Sequence, residues 1–247
     1  RDLVRSRGLG DVYKRQAIED RLAIMTGSGT SLHGAGRTDA GVHAIGMVAN
    51  FATASSIPCS GFMDGLNSML SKDIRILHVD EAEEDFHSRY NAAGKTYSYT
   101  VFTGAVQLPT ERLYTAHYRG FFDDKMAERA LKHIRGTHDF TSFEAAGSRD
   151  VNIPSRRGAV RTLFQAELSR HPEKPDTWLF SFTGDGFLRH MVRNLVGTLM
   201  EVGSGRMTAD DFYTVLHSAD RDTAGPTAPP CGLLLKKVHY CLLYTSP

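Results

Sequence analysis

The 247-residue chain contains two successive series of strand-like and helix-like segments. This order limits the folds that the chain can adopt. Short apolar runs predict strands at residues 31–35, 42–51, 74–80, 94–102, 161–169, 177–184 and 233–240. Runs with helical spacing predict helices at 17–25, 60–70, 123–135, 188–202 and 209–218. The order predicts an α+β fold of two ferredoxin-like halves that form a continuous, mostly antiparallel sheet with a central active-site cleft.

A glycine-lined turn between two of the predicted strands carries both an acid and a base. Residues 34–44 read GAGRTDAGVHA. Glycines at 34, 36 and 41 permit unusual backbone conformations and let a substrate approach the main chain closely. Asp39 would lie at the mouth of the sheet, on the kind of loop that often carries chemistry. Spacing alone also allows a solvated loop in which Asp39 caps a turn and Arg37 is its surface partner.

The composition fits a globular protein, with 41% hydrophobic and 23% charged residues. No apolar run approaches the roughly 18 residues of a membrane helix, so no membrane association is expected. Cys59 and Cys231 are isolated, and Cys241 lies in the last seven residues. Cysteines in this arrangement indicate no disulfide framework and favour a reducing, cytoplasmic location.

The net charge of +1 gives no globally basic surface. Five basic and two acidic residues lie in the first sixteen positions, so the remaining chain is slightly acidic. Any affinity for nucleic acid must therefore come from local clusters. Candidates are Arg149, Arg156, Arg157 and Arg161, and separately Arg89 with Lys95. An ordinary solvated face is the alternative for each cluster.

Six blocks of sequence resemble, in order, those of the tRNA pseudouridine synthase A family. They are GRTDAGVHA (36–44), FHSR (86–89), KTYSY (95–99), GTHDFTSF (136–143), GFLRHMVRN (186–194) and AGPTAPP (224–230). The resemblance implies an enzyme that isomerises uridine to pseudouridine at positions 38 to 40 of the tRNA anticodon stem-loop. It further implies a homodimer that needs no cofactor and no metal. Independently of the resemblance, the eleven histidines are scattered without paired ligand spacing, so His33, His43, His87 and His138 are interpreted as structural or RNA-contacting residues rather than zinc ligands.

The resemblance also assigns roles to individual residues. Asp39 corresponds to the catalytic nucleophile, and Arg193 to the arginine that pairs with it. Tyr97 corresponds to the tyrosine that lies against the target base, with a part in proton transfer at C5. Arg37 corresponds to the arginine that holds the flipped nucleotide open, and Arg89 to a contact with the tRNA backbone.

Patterning around Arg193 and Tyr97 is compatible with these roles. A helix over 188–202 would bury an apolar face and place Arg189 and Arg193 on the neighbouring strip beside Gly197. A buried carboxylate needs such a cation to remain ionised. Without the resemblance, Arg193 would be interpreted as a surface arginine and Tyr97 as a core residue. Tyr99, on the same strand face as Tyr97, is expected to be a packing residue.

The ends of the chain depart from the family pattern. Residues 1–16 and 241–247 resemble translated adapter sequence and are expected to be a non-native leader and tail. Residues 17–105 would form the N-terminal half, which carries the Asp39 loop and lacks its first strand. Residues 106–240 would form the C-terminal half.

Met47 stands where the family commonly has glutamine. This substitution would alter a contact near the site without removing a catalytic group.

Two other functions are considered. One is a noncatalytic RNA-binding fragment of such an enzyme. The other is a nucleotide-binding enzyme that uses the glycine-rich loop for phosphate. The second is disfavoured because no Gly-x-x-x-x-Gly-Lys-Ser/Thr motif occurs and because the Asp39 carboxylate would repel phosphate.

Overall fold

The structure is a computed structural model that describes residues 10–145, 147 and 157–240. Its helices are α1 (Gly10–Thr26), α2 (Cys59–Met69), α3 (Asp124–Lys132), α4 (Met191–Gly203) and α5 (Ala209–Ser218). Its strands are β1 (His33–Gly34), β2 (His43–Ala44), β3 (Ala49–Asn50), β4 (Gly94–Phe102), β5 (Ala116–His117), β6 (Gly136–Asp139), β7 (Val160–Arg170), β8 (Thr177–Gly184) and β9 (Leu233–His239). They fall into two compact units, the first comprising residues up to 40 and 47–92, the second 41–46 and those from 93 onward.

The first unit is built on a pair of helices and a short hairpin. α1 packs against α2, and strand β1 pairs antiparallel with β3, with Ala35 extending the pairing through its amide to the Val48 carbonyl at 2.8 Å. The buried core consists of Leu22, Leu32, Phe62, Leu66, Leu70 and Ile74. Because Leu32, directly before β1, shares this core with residues of α1 and α2, the hairpin has a fixed base from which the loop of residues 35–40 extends.

The strand expected at 74–80 does not form. Ile76 instead hydrogen-bonds to a helix side chain: Asn67 on α2 accepts from its amide and donates to its carbonyl, both at 2.8 Å. One side-chain amide thus satisfies the two backbone groups that a neighbouring strand would otherwise pair.

The second unit contains a seven-stranded sheet in the order β2-β9-β4-β8-β7-β6, with β5 added along the end of β4. β2 runs parallel to β9 and β5 runs parallel to β4, whereas the other pairs are antiparallel. The expected α+β class with a large, mostly antiparallel sheet is therefore confirmed. The predicted bounds of β8 and α5 match the structure.

The single strand expected over 42–51 is wrong. It is split into β2 in the second unit and β3 in the first. The break occurs because the amides of Ile45 and Gly46 both donate to the Leu235 carbonyl, which ends the regular ladder. A Cβ atom at Gly46 would lie 2.3 Å from the Lys236 carbonyl oxygen, so only glycine allows this close approach.

Helix α4 is the central helix of the second unit. All of its residues except Arg193 and Glu201 are buried. Its apolar residues join Tyr99, Val101, Phe180 and Phe182 from the sheet in one core. A helix buried on nearly every side is typical of the middle of a core. Arg193 is one of the two residues of α4 that remain partly exposed to solvent.

The helix expected over 188–202 begins three residues later than predicted. His190 adopts a left-handed conformation, with φ of 62°, immediately before Met191. Leu188 and Arg189 consequently precede the helix, and the expectation that Arg189 and Arg193 share one helical strip is wrong. Leu188 is nevertheless buried, as expected for the apolar set.

No helix within the described ranges combines the length and apolarity that crossing a membrane requires.

The packing of residues 224–228 against α4 yields a stability prediction. A Cβ atom at Gly197 would lie 1.7 Å from the Pro226 carbonyl oxygen. The Gly197→Ala substitution should lower the free energy of unfolding by about 1–3 kcal/mol or more, because overpacking forces this backbone away from the helix. Thermal and urea unfolding measure the change.

Gly186→Ala is the matched control, since its Cβ atom would meet only the Arg161 side chain at an ordinary 3.5 Å. That control should change stability by a few tenths of a kcal/mol. Equal stabilities of the two variants would contradict the packing described for Gly197.

Candidate active site

The turn that carries Asp39 extends from the hairpin of the first unit. Ala35 is buried and held by Val48, and Thr38 is 8% exposed. Asp39 is half-buried, whereas Arg37 is exposed. The first unit therefore fixes the base of the turn while the two ionisable groups remain accessible to a ligand.

Of the glycines in this turn, Gly41 has the clearest conformational requirement. Its φ is 80°, and a Cβ atom there would lie 3.1 Å from the Pro230 ring, within the second unit. A Cβ atom at Gly34 would make only an ordinary contact of 3.7 Å. The expected need for a special backbone conformation therefore applies to Gly41, where the chain turns into β2.

Arg89 lies in a second loop that is attached to the same hairpin. The neighbouring Ser88 is fully buried: its hydroxyl donates to the His33 carbonyl at 2.6 Å, and its amide donates to Asn50 Oδ1 at 2.9 Å. Arg89 itself is exposed. The first unit thus holds Arg37, Asp39 and Arg89 on loops that share β1 and β3 as their base.

Tyr97 lies in the second unit, at an irregularity in the sheet. On β4 it pairs with Phe182 of β8 and Leu235 of β9. The register between β4 and β9 shifts between Thr96 and Tyr97, which leaves Lys236 as an extra residue. A bulge of this kind redirects side chains beside functional sites. The Tyr97 ring is half-buried and meets the Phe187 ring edge-on at 5.0 Å.

Tyr99 is a packing residue, as expected. Its side chain is fully buried, and its hydroxyl donates to the Pro229 carbonyl at 2.6 Å. Burial raises the pKa of the Tyr99 hydroxyl far above its ordinary value, so it remains a neutral donor at any physiological pH. This bond ties the sheet to the segment that approaches α4.

Arg193 is held in place by that same segment. Its Nε donates to the Ala228 carbonyl at 2.8 Å, and the Ala228 amide donates to the Arg193 carbonyl at 3.1 Å. This Nε hydrogen bond anchors the guanidinium group to the main chain of Ala228. A planar, anchored guanidinium suits bidentate binding of a carboxylate.

Sequence reasoning missed the polar network that supports Ala228. Asn194 Oδ1 accepts from Thr227 Oγ1 at 2.7 Å and from Arg221 Nη2 at 3.3 Å, while Asn194 Nδ2 donates to the Phe143 carbonyl. Arg221 also donates to the carbonyls of Ala224 and Gly225. The available signal was Asn194 itself, a polar residue beside Arg193 in an otherwise apolar helix.

A polar cavity of about 500 Å³ lies beside the start of α4. Its lining includes Arg189, His190, Arg221 and Asp222. The Arg221 guanidinium is engaged by Asn194 and Thr227, and Asp222 adds a carboxylate to the lining, so the cavity is polar rather than uniformly basic.

Two arginines of the predicted cluster of Arg149, Arg156, Arg157 and Arg161 are engaged within the fold. Arg157 forms an ion pair with Asp185, and Arg161 donates to the carbonyls of Gly158 and Val160. Arg149 and Arg156 lie outside the described residues.

Two of the histidines singled out from the sequence make structural contacts. His43 Nε2 lies 2.6 Å from the Leu113 carbonyl, and His138 Nε2 lies 2.9 Å from the Arg135 carbonyl. Among residues 10–145, 147 and 157–240, no group of three histidine, cysteine, aspartate or glutamate side chains could hold a metal ion.

The sequence of this chain is similar to those of known proteins of one family. The family model described as tRNA pseudouridine synthase matches residues 5–91 and 130–241. The chain is 49% identical over 223 residues to tRNA pseudouridine synthase A 1 of Desulfotalea psychrophila, which covers 90% of this chain and 88% of that protein. It is 42% identical to tRNA pseudouridine synthase A of Lacticaseibacillus casei, over 90% of this chain and 88% of the relative. It is also 42% identical to tRNA pseudouridine synthase A of Acetivibrio thermocellus, over 92% of this chain and 89% of the relative. The chain therefore belongs to the tRNA pseudouridine synthase family.

Proposed function

We propose that this protein is a tRNA pseudouridine synthase that isomerises uridine at positions 38 to 40 of the anticodon stem-loop. The observation that carries the proposal is the presence of GRTDAGVHA in a chain that matches the family over both compact units. In the reaction the C1′–N1 bond breaks, the uracil rotates, a C1′–C5 bond forms, and the proton on C5 is lost while N1 gains one. The target base must leave its helical stack to reach the protein.

Asp39 is the proposed nucleophile. Its half-buried position, two residues after the exposed Arg37, allows a flipped nucleotide to approach the carboxylate. Attack at C6 of the base and attack at C1′ of the sugar both require the ionised form. The fixed turn supports this role because an oriented carboxylate loses little conformational freedom on reaction.

Arg193 is the proposed partner of Asp39. The Ala228 carbonyl engages Nε and so anchors the guanidinium group. A cation in this position would keep the carboxylate ionised after the base has excluded water. The two terminal nitrogens can donate parallel hydrogen bonds to the two carboxylate oxygens.

The remaining residues are proposed to bind the substrate. Tyr97 would lie against the target uracil and take part in removal of the C5 proton, since its ring is half-buried beside Phe187. Arg37, exposed two residues before Asp39, would hold the flipped nucleotide open. Arg89 would contact the RNA backbone. We also propose a cytoplasmic homodimer that works without a cofactor or metal.

The Asp39→Asn variant should lose pseudouridine formation and retain tRNA binding, because the amide keeps the shape of the side chain but is not a nucleophile. Tritium release from C5-labelled tRNA in single-turnover reactions measures the chemistry, and filter binding measures affinity. Turnover at the wild-type rate would refute the role of Asp39.

The Arg193→Leu variant should lose about two to four orders of magnitude in rate, as expected when one partner of a buried ion pair worth roughly 3–5 kcal/mol is removed. Arg189→Leu is the control, because Arg189 is exposed and precedes α4. A loss below tenfold for Arg193→Leu, or equal losses for both variants, would place the essential cation elsewhere.

Excess EDTA should leave the activity intact once the tRNA is folded with monovalent salt and polyamine, because the proposed chemistry uses only protein side chains. The control reaction contains magnesium. Inactivation that zinc alone reverses would contradict a metal-free mechanism.

A further inference from the structure

Three aromatic side chains of the first unit form a row beside the hairpin. The ring centroids of His33 and His87 are 5.2 Å apart, and those of His87 and Tyr90 are 4.2 Å apart, each pair tilted by 38°. His33 is the first residue of β1, two residues before the loop that leads to Asp39. His87 and Tyr90 lie on the loop that also carries Arg89. We call His33, His87 and Tyr90 the ring row.

The ring row is held rigidly. His87 Nδ1 accepts from the amides of Arg89 and Tyr90 at 3.1 and 3.4 Å, and the His87 amide donates to Asn91 Oδ1 at 2.6 Å. The buried Ser88 joins the same loop to β1 and β3. Since Nδ1 is an acceptor, the neutral His87 ring carries its proton on Nε2. Little conformational freedom would be lost when a ligand binds to a preformed row.

Tyr90 forms the open end of the row. The residue is 79% exposed, although its ring packs against His87 on one side. Exposed aromatic rings with one supported face are the usual stacking surfaces for unpaired bases in RNA-binding proteins. A ring that merely filled the core would be buried.

Local charge distinguishes a base from a phosphate as the ligand. The exposed carboxylates of Glu81, Glu83, Glu84 and Asp85 lie in the chain segment before His87, and the exposed Arg89 lies between His87 and Tyr90. A phosphate group of the RNA is expected at the Arg89 guanidinium, whereas the uncharged Tyr90 ring offers its face to a base. The distribution of charge therefore favours contact with Tyr90 through the base.

We infer that Tyr90, supported by His87 and His33, binds an unpaired nucleobase of the tRNA by stacking, at a site separate from the pocket for the target uridine. The inference rests on the proposed function for the identity of the RNA. It assigns binding, not chemistry, to the ring row, because a stacked base outside the reacting nucleotide fixes the position of the RNA relative to β1 and the Asp39 loop.

The experiment measures the dissociation constant of an unmodified tRNA transcript, by fluorescence anisotropy over a series of salt concentrations. Tyr90→Ala should weaken binding about 5- to 100-fold, as removal of one base-stacking ring does. The slope of log K against log salt should not change, because no phosphate contact is lost. Arg89→Ala should instead reduce that slope by about one. Wild-type affinity of Tyr90→Ala, or a reduced slope in that variant, would overturn the inference.

Tyr213→Ala is the matched control. Tyr213 on α5 also packs against two histidines, His217 at 4.4 Å and His133 at 5.2 Å, and is 49% exposed. Its loss should leave tRNA affinity within about twofold, within ordinary surface-substitution effects. An equal loss of affinity in Tyr213→Ala and Tyr90→Ala would overturn the inference.

A second variant keeps the test independent of any effect on folding. Tyr90→Trp should restore affinity to within a fewfold of wild type, and the new indole should lose fluorescence when a base stacks on it. The natural Trp178 is buried, so the wild-type protein provides the background signal. Unchanged fluorescence of the new indole on saturation with tRNA would overturn the inference. Failure of the wild type to form pseudouridine would count against the proposed function alone.

Discussion

The close contact between residues 224–228 and helix α4 orients the candidate cation of the second unit. Gly197 allows the Pro226 carbonyl to approach the helix axis, and four residues earlier on α4 the main chain and side chain of Arg193 both bond to Ala228. Arginine is a flexible residue whose immobilisation costs up to about 2 kcal/mol of side-chain entropy. Holding Nε within the fold means that this cost is met during folding, before any ligand binds.

The same segment connects the helix to the sheet. Pro229 accepts the hydroxyl of Tyr99, and a Cβ atom at Gly232 would lie 2.7 Å from the Tyr99 ring, so the segment and β4 pack without space between them. Tyr97 lies two residues from Tyr99 on β4, where the bulge at Lys236 of β9 shifts the register. Tyr97 and Arg193 are therefore two parts of one scaffold, and a displacement of residues 224–232 would disturb both.

Elements whose residue pattern is set locally could be predicted from the sequence. The predictions were wrong where contacts between distant parts of the chain decide whether a strand forms. Large aromatic residues occupy every second position in the middle of β8, and the apolar residues of α5 recur with a helical period. The bounds of both elements could therefore be predicted. The split between β2 and β3 depends on Leu235, far away in the chain, and the lost strand at 74–80 depends on Asn67. For the candidate site, the sequence motifs select Asp39, Tyr97 and Arg193 as the proposed catalytic residues. They could not identify Ala228, because a backbone carbonyl acts there and its side chain carries no chemical signal.

A nearly neutral protein that binds RNA needs contributions beyond charge. The net charge is +1, and Arg157 is already paired with Asp185. Phosphate contacts are strongly weakened by salt, with roughly one counterion released for each contact, whereas stacking on an aromatic ring is much less sensitive to salt. A rigid ring row beside the Asp39 loop would add affinity at physiological salt. Such a row would also select RNA in which a base is already unpaired, because stacking on Tyr90 requires an exposed base face.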